Sequence, residues 1–220
     1  MMEDKKSFRK VSKRQNPSPQ KEVSQAEKKN SPRYDDEVKR ACEVLRKGGV
    51  ILYPTDTVWG IGCDATNEQA VQRVYDIKHR ADSKSMLMLV DNDAKVSLYV
   101  KDVPDVAWDL IELSEKPLTI IYDNARNLAP NVVASDGSVG IRVTRETFSS
   151  QLCYRFGKAI VSTSANISGE PTPRTFSEIS DEILEAVDYV VKCRRGEKKP
   201  TKPSSIIRLS AKGEIQIIRE

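Results

Sequence analysis

The chain is poor in the residues on which most metal and nucleophile chemistry depends. Its 220 residues include one histidine, His79, which argues against any His-based triad. The four cysteines, Cys42, Cys63, Cys153 and Cys193, form no Cys-x-x-Cys pair, so the usual structural zinc spacing is missing and no protein metal site is expected. Neither G-x-x-x-x-G-K-[ST] nor G-x-G-x-x-G occurs. Any phosphate must therefore be held by dispersed Lys, Arg, Ser and Thr. Long hydrophobic runs are absent too: "MLMLV" (Met86 to Val90) is strand-sized, and the N-terminus is polar. From these absences we expect a reduced, cytoplasmic protein with no membrane span and no signal peptide. Aromatics make up 6% of the chain and form no stacking ladder on alternating strand positions, which argues against a single-strand RNA platform.

Positive charge is present but unevenly placed. Residues 1–33 carry ten basic side chains against four acidic ones, a net +6, which leaves −2 for the rest of a chain of net charge +4. With Pro17, Pro19 and Pro32 and almost no apolar residues, this tail cannot bury enough surface to offset the entropy of ordering. We expect a disordered basic tail over 1–33 and one domain over 34–220, with the tail as a possible electrostatic arm for nucleic acid.

Within the domain, helical spacing of Val38, Ala41, Cys42 and Leu45 predicts a helix capped at Asp35 or Asp36 and stopped by Gly48-Gly49. Asn67 is placed to cap a second helix carrying Ala70, Val71, Val74 and Ile77. Further helices are expected at 104–113, 147–156 and 175–186. Short buried strands fall at "VILY", "MLMLV", "LTIIY", "VGIRV", "AIVSTS" and "YVV", and "SSIIRL" and "EIQII" are joined by the hairpin signal "SAKG". Helices interspersed with short strands predict an α+β, three-layer α/β/α domain around a mixed twisted sheet.

Several of these strands run into small hydroxyls. "VILY" enters Pro54-Thr55-Asp56-Thr57, "AIV" enters Ser162-Thr163-Ser164-Ala165-Asn166, and "SSIIRL" begins with Ser204-Ser205. Each cluster alone is ordinary turn chemistry, but sites in open α/β sheets gather at strand ends. Lys78, Arg80 and Lys84 lie near the same edge, where cations also complement a helix C-terminus. Arg142 sits inside "VGIRV"; facing inward it needs an anion, and its planar fork suits a carboxylate or phosphate.

In order along the chain, "GGVILYPTDTVWGIGCDA", the Lys-x-Arg of "IKHRADSKSMLML", "VGIRV", "STSANISGEPTP" and "KPSSIIRL" resemble the motifs of the YrdC-like L-threonylcarbamoyladenylate synthases. The resemblance runs from about Asp35 to the C-terminus. It implies a mixed twisted sheet of the YrdC/RibB type with a concave basic cavity. The implied reaction joins L-threonine, bicarbonate and ATP, with magnesium, into threonylcarbamoyl-AMP and pyrophosphate. A tRNA-modifying threonylcarbamoyl transferase complex would take the product to the adenosine next to the anticodon, and tRNA or double-stranded RNA would be a further partner. Carried over by position, Thr55, Arg142, Ser162 and Ser204 would bind threonine. Lys78 and Arg80 would hold ATP phosphates with Lys84 nearby, these three acting as the catalytic charges. Ser138, Ser164, Asn166, Thr172 and Arg219 would surround the nucleotide. The family's Trp-Pro-Gly-Pro-Leu-Thr is replaced here by Ser114-Glu115-Lys116-Pro117-Leu118-Thr119. The rival readings are a YciO-like paralogue with weak or different activity and a non-catalytic RNA-binding module.

Overall fold

The computed structural model describes residues 34–79, 86–198 and 203–220. The basic segment 1–33 lies outside the described residues, as do Arg80 and Lys84. The first helix, α1 (Asp35–Arg46), buries Val38, Ala41, Cys42 and Leu45 as its spacing predicts. Its N-cap is Tyr34 rather than an aspartate, and Asp35, Asp36 and Glu37 instead occupy the first turn, where negative charge complements the helix dipole. In α2 (Glu68–Ile77) the Asn67 side chain does cap, accepting from the Ala70 amide at 3.1 Å.

Strand β1 (Ile51–Tyr53) turns through residues 54–59 into β2 (Gly60–Gly62), which pairs with it antiparallel. The glycines of "GIG" answer to close packing. A Cβ on Gly62 would lie 2.5 Å from the Val161 carbonyl oxygen and 2.6 Å from the Tyr53 ring. Strand β3 (Leu87–Val90) leads to α3 (Val96–Tyr99), a single turn too short to show in the sequence pattern, and to α4 (Val106–Leu113). Then follow β4 (Leu118–Tyr122), β5 (Val139–Val143), α5 (Thr147–Phe156) and β6 (Ile160–Ser164).

The helix expected over 175–186 is broken. A 3₁₀ turn at Phe176–Glu178 precedes α6 (Asp181–Ala186), with Ile179 and Ser180 extended between them. Glu178 accepts from the Arg174 amide and the Thr175 hydroxyl, local bonds that compete with a helical ladder, while Phe176 packs on Trp59 at 4.8 Å. The chain finishes with β7 (Tyr189–Val190), β8 (Ser205–Leu209) and β9 (Ile215–Arg219), the last two joined through Gly213 at φ +86°.

Among the described residues these strands make one mixed sheet in the order β7-β1-β2-β6-β3-β5-β4-β8-β9. The β1/β7, β3/β5 and β4/β8 pairs are parallel and the rest antiparallel. Register aligns Ser162, Leu87, Gly140 and Ile121 in one row across β6, β3, β5 and β4. Because side chains alternate across a strand, this row shares a face. All four cysteines are free, and burial pushes the Cys42, Cys63 and Cys153 thiols up, so they act as small core hydrophobes. Among the described residues no helix is long and apolar enough to cross a membrane.

Candidate active site

The row Ser162-Leu87-Gly140-Ile121 forms the floor of a cavity of about 310 Å³. Gly140 and Gly60, with no side chains, deepen it, and the strand-end hydroxyls close its walls. Thr55 and Thr57 enter from the β1–β2 turn, Ser164 from the end of β6, Thr119 from β4, and Ser204 from just before β8. Thr172 and Arg219 complete the rim. Among the described residues the lining contains Arg142 and Arg219 and no carboxylate, so its charge is basic.

Arg142 is the buried centre of this arrangement, 2% exposed. Its Nη2 lies 2.9 Å from Asp56 Oδ1, an ion pair whose angle falls short of a hydrogen bond, and donates to Thr57 Oγ1 at 3.3 Å. Burial pushes the Asp56 carboxyl up, against the pull of Arg142. The arginine thus finds the anion it needs inside the protein. One donor is left over: Arg142 Nε is buried with no hydrogen-bond partner among the described residues. Such a group favours a ligand acceptor, since leaving it unpaired costs about 1 to 3 kcal/mol or more for a charged group.

The hydroxyls divide by what they already do. Thr55 Oγ1 donates to the Val58 carbonyl at 2.7 Å and accepts from the Thr57 amide, so it builds the turn as well as facing the cavity. Thr119 and Ser204 share a hydrogen bond of 2.9 Å across β4 and β8. The Arg219 guanidinium donates to the Ser204 carbonyl at 2.7 and 3.0 Å, which ties the last strand to the cavity mouth. Ser162 lies on the floor beside the Gly60 backbone.

Other expected residues stand differently. Lys78 does not line the cavity; it is 2% exposed, and its Nζ donates to the Ser164 and Asn166 carbonyls at 2.5 and 2.6 Å. It fixes the loop after β6, behind the cavity wall. Asn166 is likewise turned to that loop, donating to the Ile167 and Glu170 carbonyls, with its Oδ1 buried and unpaired among the described residues. Ser138 lies two residues before Gly140 and outside the lining; its hydroxyl and amide serve Asp136, whose carboxyl they hold down to about 2. Arg80 and Lys84 fall outside the described residues. Thr119 and the Asp56 partnership are not among the residues expected from the sequence. Thr119 was findable from β4 alternation, whereas Asp56 depends on how the turn folds back on β5.

Among the described residues no group of three His, Cys, Asp or Glu could hold a metal ion. The family model Sua5/YciO/YrdC, described as "Telomere recombination", matches residues 43–220. A threonylcarbamoyl-AMP synthase of Pseudoalteromonas translucida is 36% identical over 169 residues, covering 76% of this chain and 89% of the relative. The Escherichia coli YciO structure superposes with a TM-score of 0.74 at 25% identity, over 87% of this chain and 91% of that one. Pyrococcus abyssi Sua5 complexed with L-threonine gives a TM-score of 0.70 at 22% identity, covering 78% of this chain and 50% of that one. With a family model spanning all three strand-end hydroxyl clusters and the whole sheet, the chain belongs to the Sua5/YciO/YrdC family.

Proposed function

We propose that this chain joins L-threonine, bicarbonate and ATP into threonylcarbamoyl-AMP and pyrophosphate. The observation that carries the reading is Arg142: a buried guanidinium with an unspent Nε–H in a hydroxyl-lined cavity is shaped for a small carboxylate. Threonine's carboxylate would take Arg142 Nε. Its hydroxyl and amine would find the Thr57, Ser162 and Thr119–Ser204 oxygens along the floor.

The threonine amine captures carbon dioxide derived from bicarbonate, and the carbamate oxygen attacks the α-phosphorus of ATP in line as pyrophosphate leaves. Two unit negative charges about 4 Å apart repel by roughly 4 kcal/mol at an effective dielectric near 20. Catalysis is therefore positioning plus charge neutralisation. Arg142 and Arg219 supply charge at the cavity. Arg80 and Lys84 would add to it by motif position, and Lys78 acts from behind the Ser164 carbonyl that it holds. Magnesium would arrive on the nucleotide as part of the substrate, because the described residues of the lining offer no carboxylate cage. Ser164, Thr172 and Arg219 stand where the nucleotide would reach the rim, with Ser138 and Asn166 supporting the loops around them. The product would pass to a tRNA-modifying transferase complex in the cytoplasm.

The test is pyrophosphate release from ATP with and without L-threonine and bicarbonate. Release is expected to require both, and Arg142→Ala to raise the threonine KM by about 10- to 100-fold, the loss of one charge-assisted bond. ATP binding without threonine-dependent release would identify a paralogue with another substrate. Salt-sensitive RNA binding without ATP binding would identify an RNA-binding module.

A further inference from the structure

The sheet has a second cavity, on the face opposite the first. Along β4 and β5, Thr119, Ile121, Gly140 and Arg142 line the one described above, whereas Leu118, Ile120, Tyr122, Ile141 and Val143 line the other. The alternation of side chains puts the two back to back. Val96 of α3 and Ile111 of α4 border this reverse cavity, which measures about 350 Å³. That is at the lower end of the range of about 300 to 1,000 Å³ typical of small-molecule sites, whose walls are mostly apolar with a few placed polar groups.

Three rim charges, Arg145, Arg194 and Glu146, are already engaged within the protein. Arg145 donates to the Ile111, Glu112 and Ser114 carbonyls at the end of α4. Arg194 pairs with Glu146 and Glu197 and donates to the Thr55 carbonyl, and Glu146 caps α5 through the Phe148 and Ser149 amides. Glu115 and Lys116 are exposed. An ionic ligand would have to break these pairs, so the cavity suits an uncharged one. Tyr122 is the uncharged polar group of the β4 wall. It is buried, burial alone raises its pKa, and it lines the cavity on the β4 side. Tyr122 therefore keeps its proton and has a donor to offer.

The two cavities share one ion pair. Asp56 lines the reverse cavity, and its carboxylate is the group that steadies Arg142 in the first. We infer that the reverse cavity is a second ligand site, for an uncharged, mostly apolar small molecule with one acceptor for the Tyr122 hydroxyl, and that its occupancy reaches Arg142 through Asp56.

Acetophenone, with a carbonyl acceptor, and ethylbenzene, of similar shape without one, are the probes. Each is titrated into the full chain while isoleucine methyl signals are followed by NMR. Saturable shifts are expected at Ile111, Ile120 and Ile141, with Ile121 and Ile206 of the first cavity unmoved. Acetophenone should bind about 5-fold more tightly than ethylbenzene, the worth of one neutral hydrogen bond, and Tyr122→Phe should erase that difference. Leu118→Trp, which fills the cavity from the start of β4, should abolish the shifts. No saturable shift, shifts confined to Ile121 and Ile206, or binding unchanged by Leu118→Trp would overturn the site. The coupling is read as L-threonine affinity with and without saturating acetophenone: a change of 2-fold or more is expected, and none would overturn it. The coupling clause rests on the proposed threonine site and the NMR arm does not, so the two fail separately.

Discussion

Arg142 is held by Asp56 at 2.9 Å and by Thr57 at 3.3 Å, so its guanidinium is aimed before any ligand arrives. That pre-aiming costs nothing at the moment of binding, which is how positioned charges are most effective. It also makes the site acid-sensitive. Because burial raises the Asp56 carboxyl, Asp56 takes up a proton at a pH where an exposed aspartate is still charged. Arg142 then loses its anchor. The threonine KM should rise as pH falls through this region, and Asp56→Asn should remove the acid limb while raising KM about 10-fold at every pH, the worth of about 1.4 kcal/mol. A KM profile that keeps its acid limb in Asp56→Asn would show that another group controls Arg142. Lys78 shows what a local pattern leaves open at this scale. Its position at the end of α2 was legible, but its commitment to the Ser164 and Asn166 carbonyls was not, because those acceptors arrive from almost ninety residues downstream.

At the scale of elements, two closely spaced glycines on β2 have separate duties. Gly62 lies against the Val161 carbonyl and the Tyr53 ring, both closer than a Cβ tolerates. Gly62→Ala should therefore destabilise the fold by about 1 to 3 kcal/mol in urea unfolding, as overpacking does. A Cβ on Gly60 would meet the Ser162 hydroxyl at 3.2 Å on the cavity wall, so Gly60→Ala should affect threonine turnover more than stability. The turn before β5 carries a pH signature. Asp136 is held down to about 2 by the Ser138 hydroxyl and amide and by Arg208. Since its pKa is lower folded than unfolded, the stabilisation it gives is complete above about pH 4 and is lost as pH falls towards 2. Asp136→Asn should flatten the slope of stability against pH across that window, and an unchanged slope would assign the acid sensitivity elsewhere. The elements of strong period, α1, α2 and β4, matched their sequence patterns closely. The 175–186 segment did not, because Glu178 bonds back to the chain before it and the Trp59 ring holds Phe176 out of register.

At the scale of the whole molecule, the sheet ends on β9, with Ile215, Ile217 and Ile218 all exposed. An exposed apolar edge strand is a template for unwanted pairing, and a single lysine is enough to blunt it. Ile217→Lys should leave stability within about 0.5 kcal/mol and lower concentration-dependent light scattering. The same strand delivers Arg219 to the cavity mouth, so the edge cannot simply be deleted without loss of the site.

The sequence by itself determined the strand and helix alphabet, the absence of a phosphate loop, and the clusters of hydroxyls at strand ends, since all of these follow from local periodicity and residue type. It also determined that Arg142 needs an anion. Only the tertiary structure decided which one: the 54–59 turn folds Asp56 onto β5, a contact across more than eighty residues that no local pattern encodes. The register of β6, β3, β5 and β4 likewise had to be set before Ser162 and Gly140 could share a floor. Register is fixed by which faces bury together, and a one-residue slip would have turned Arg142 to the reverse cavity and Ile141 to the first.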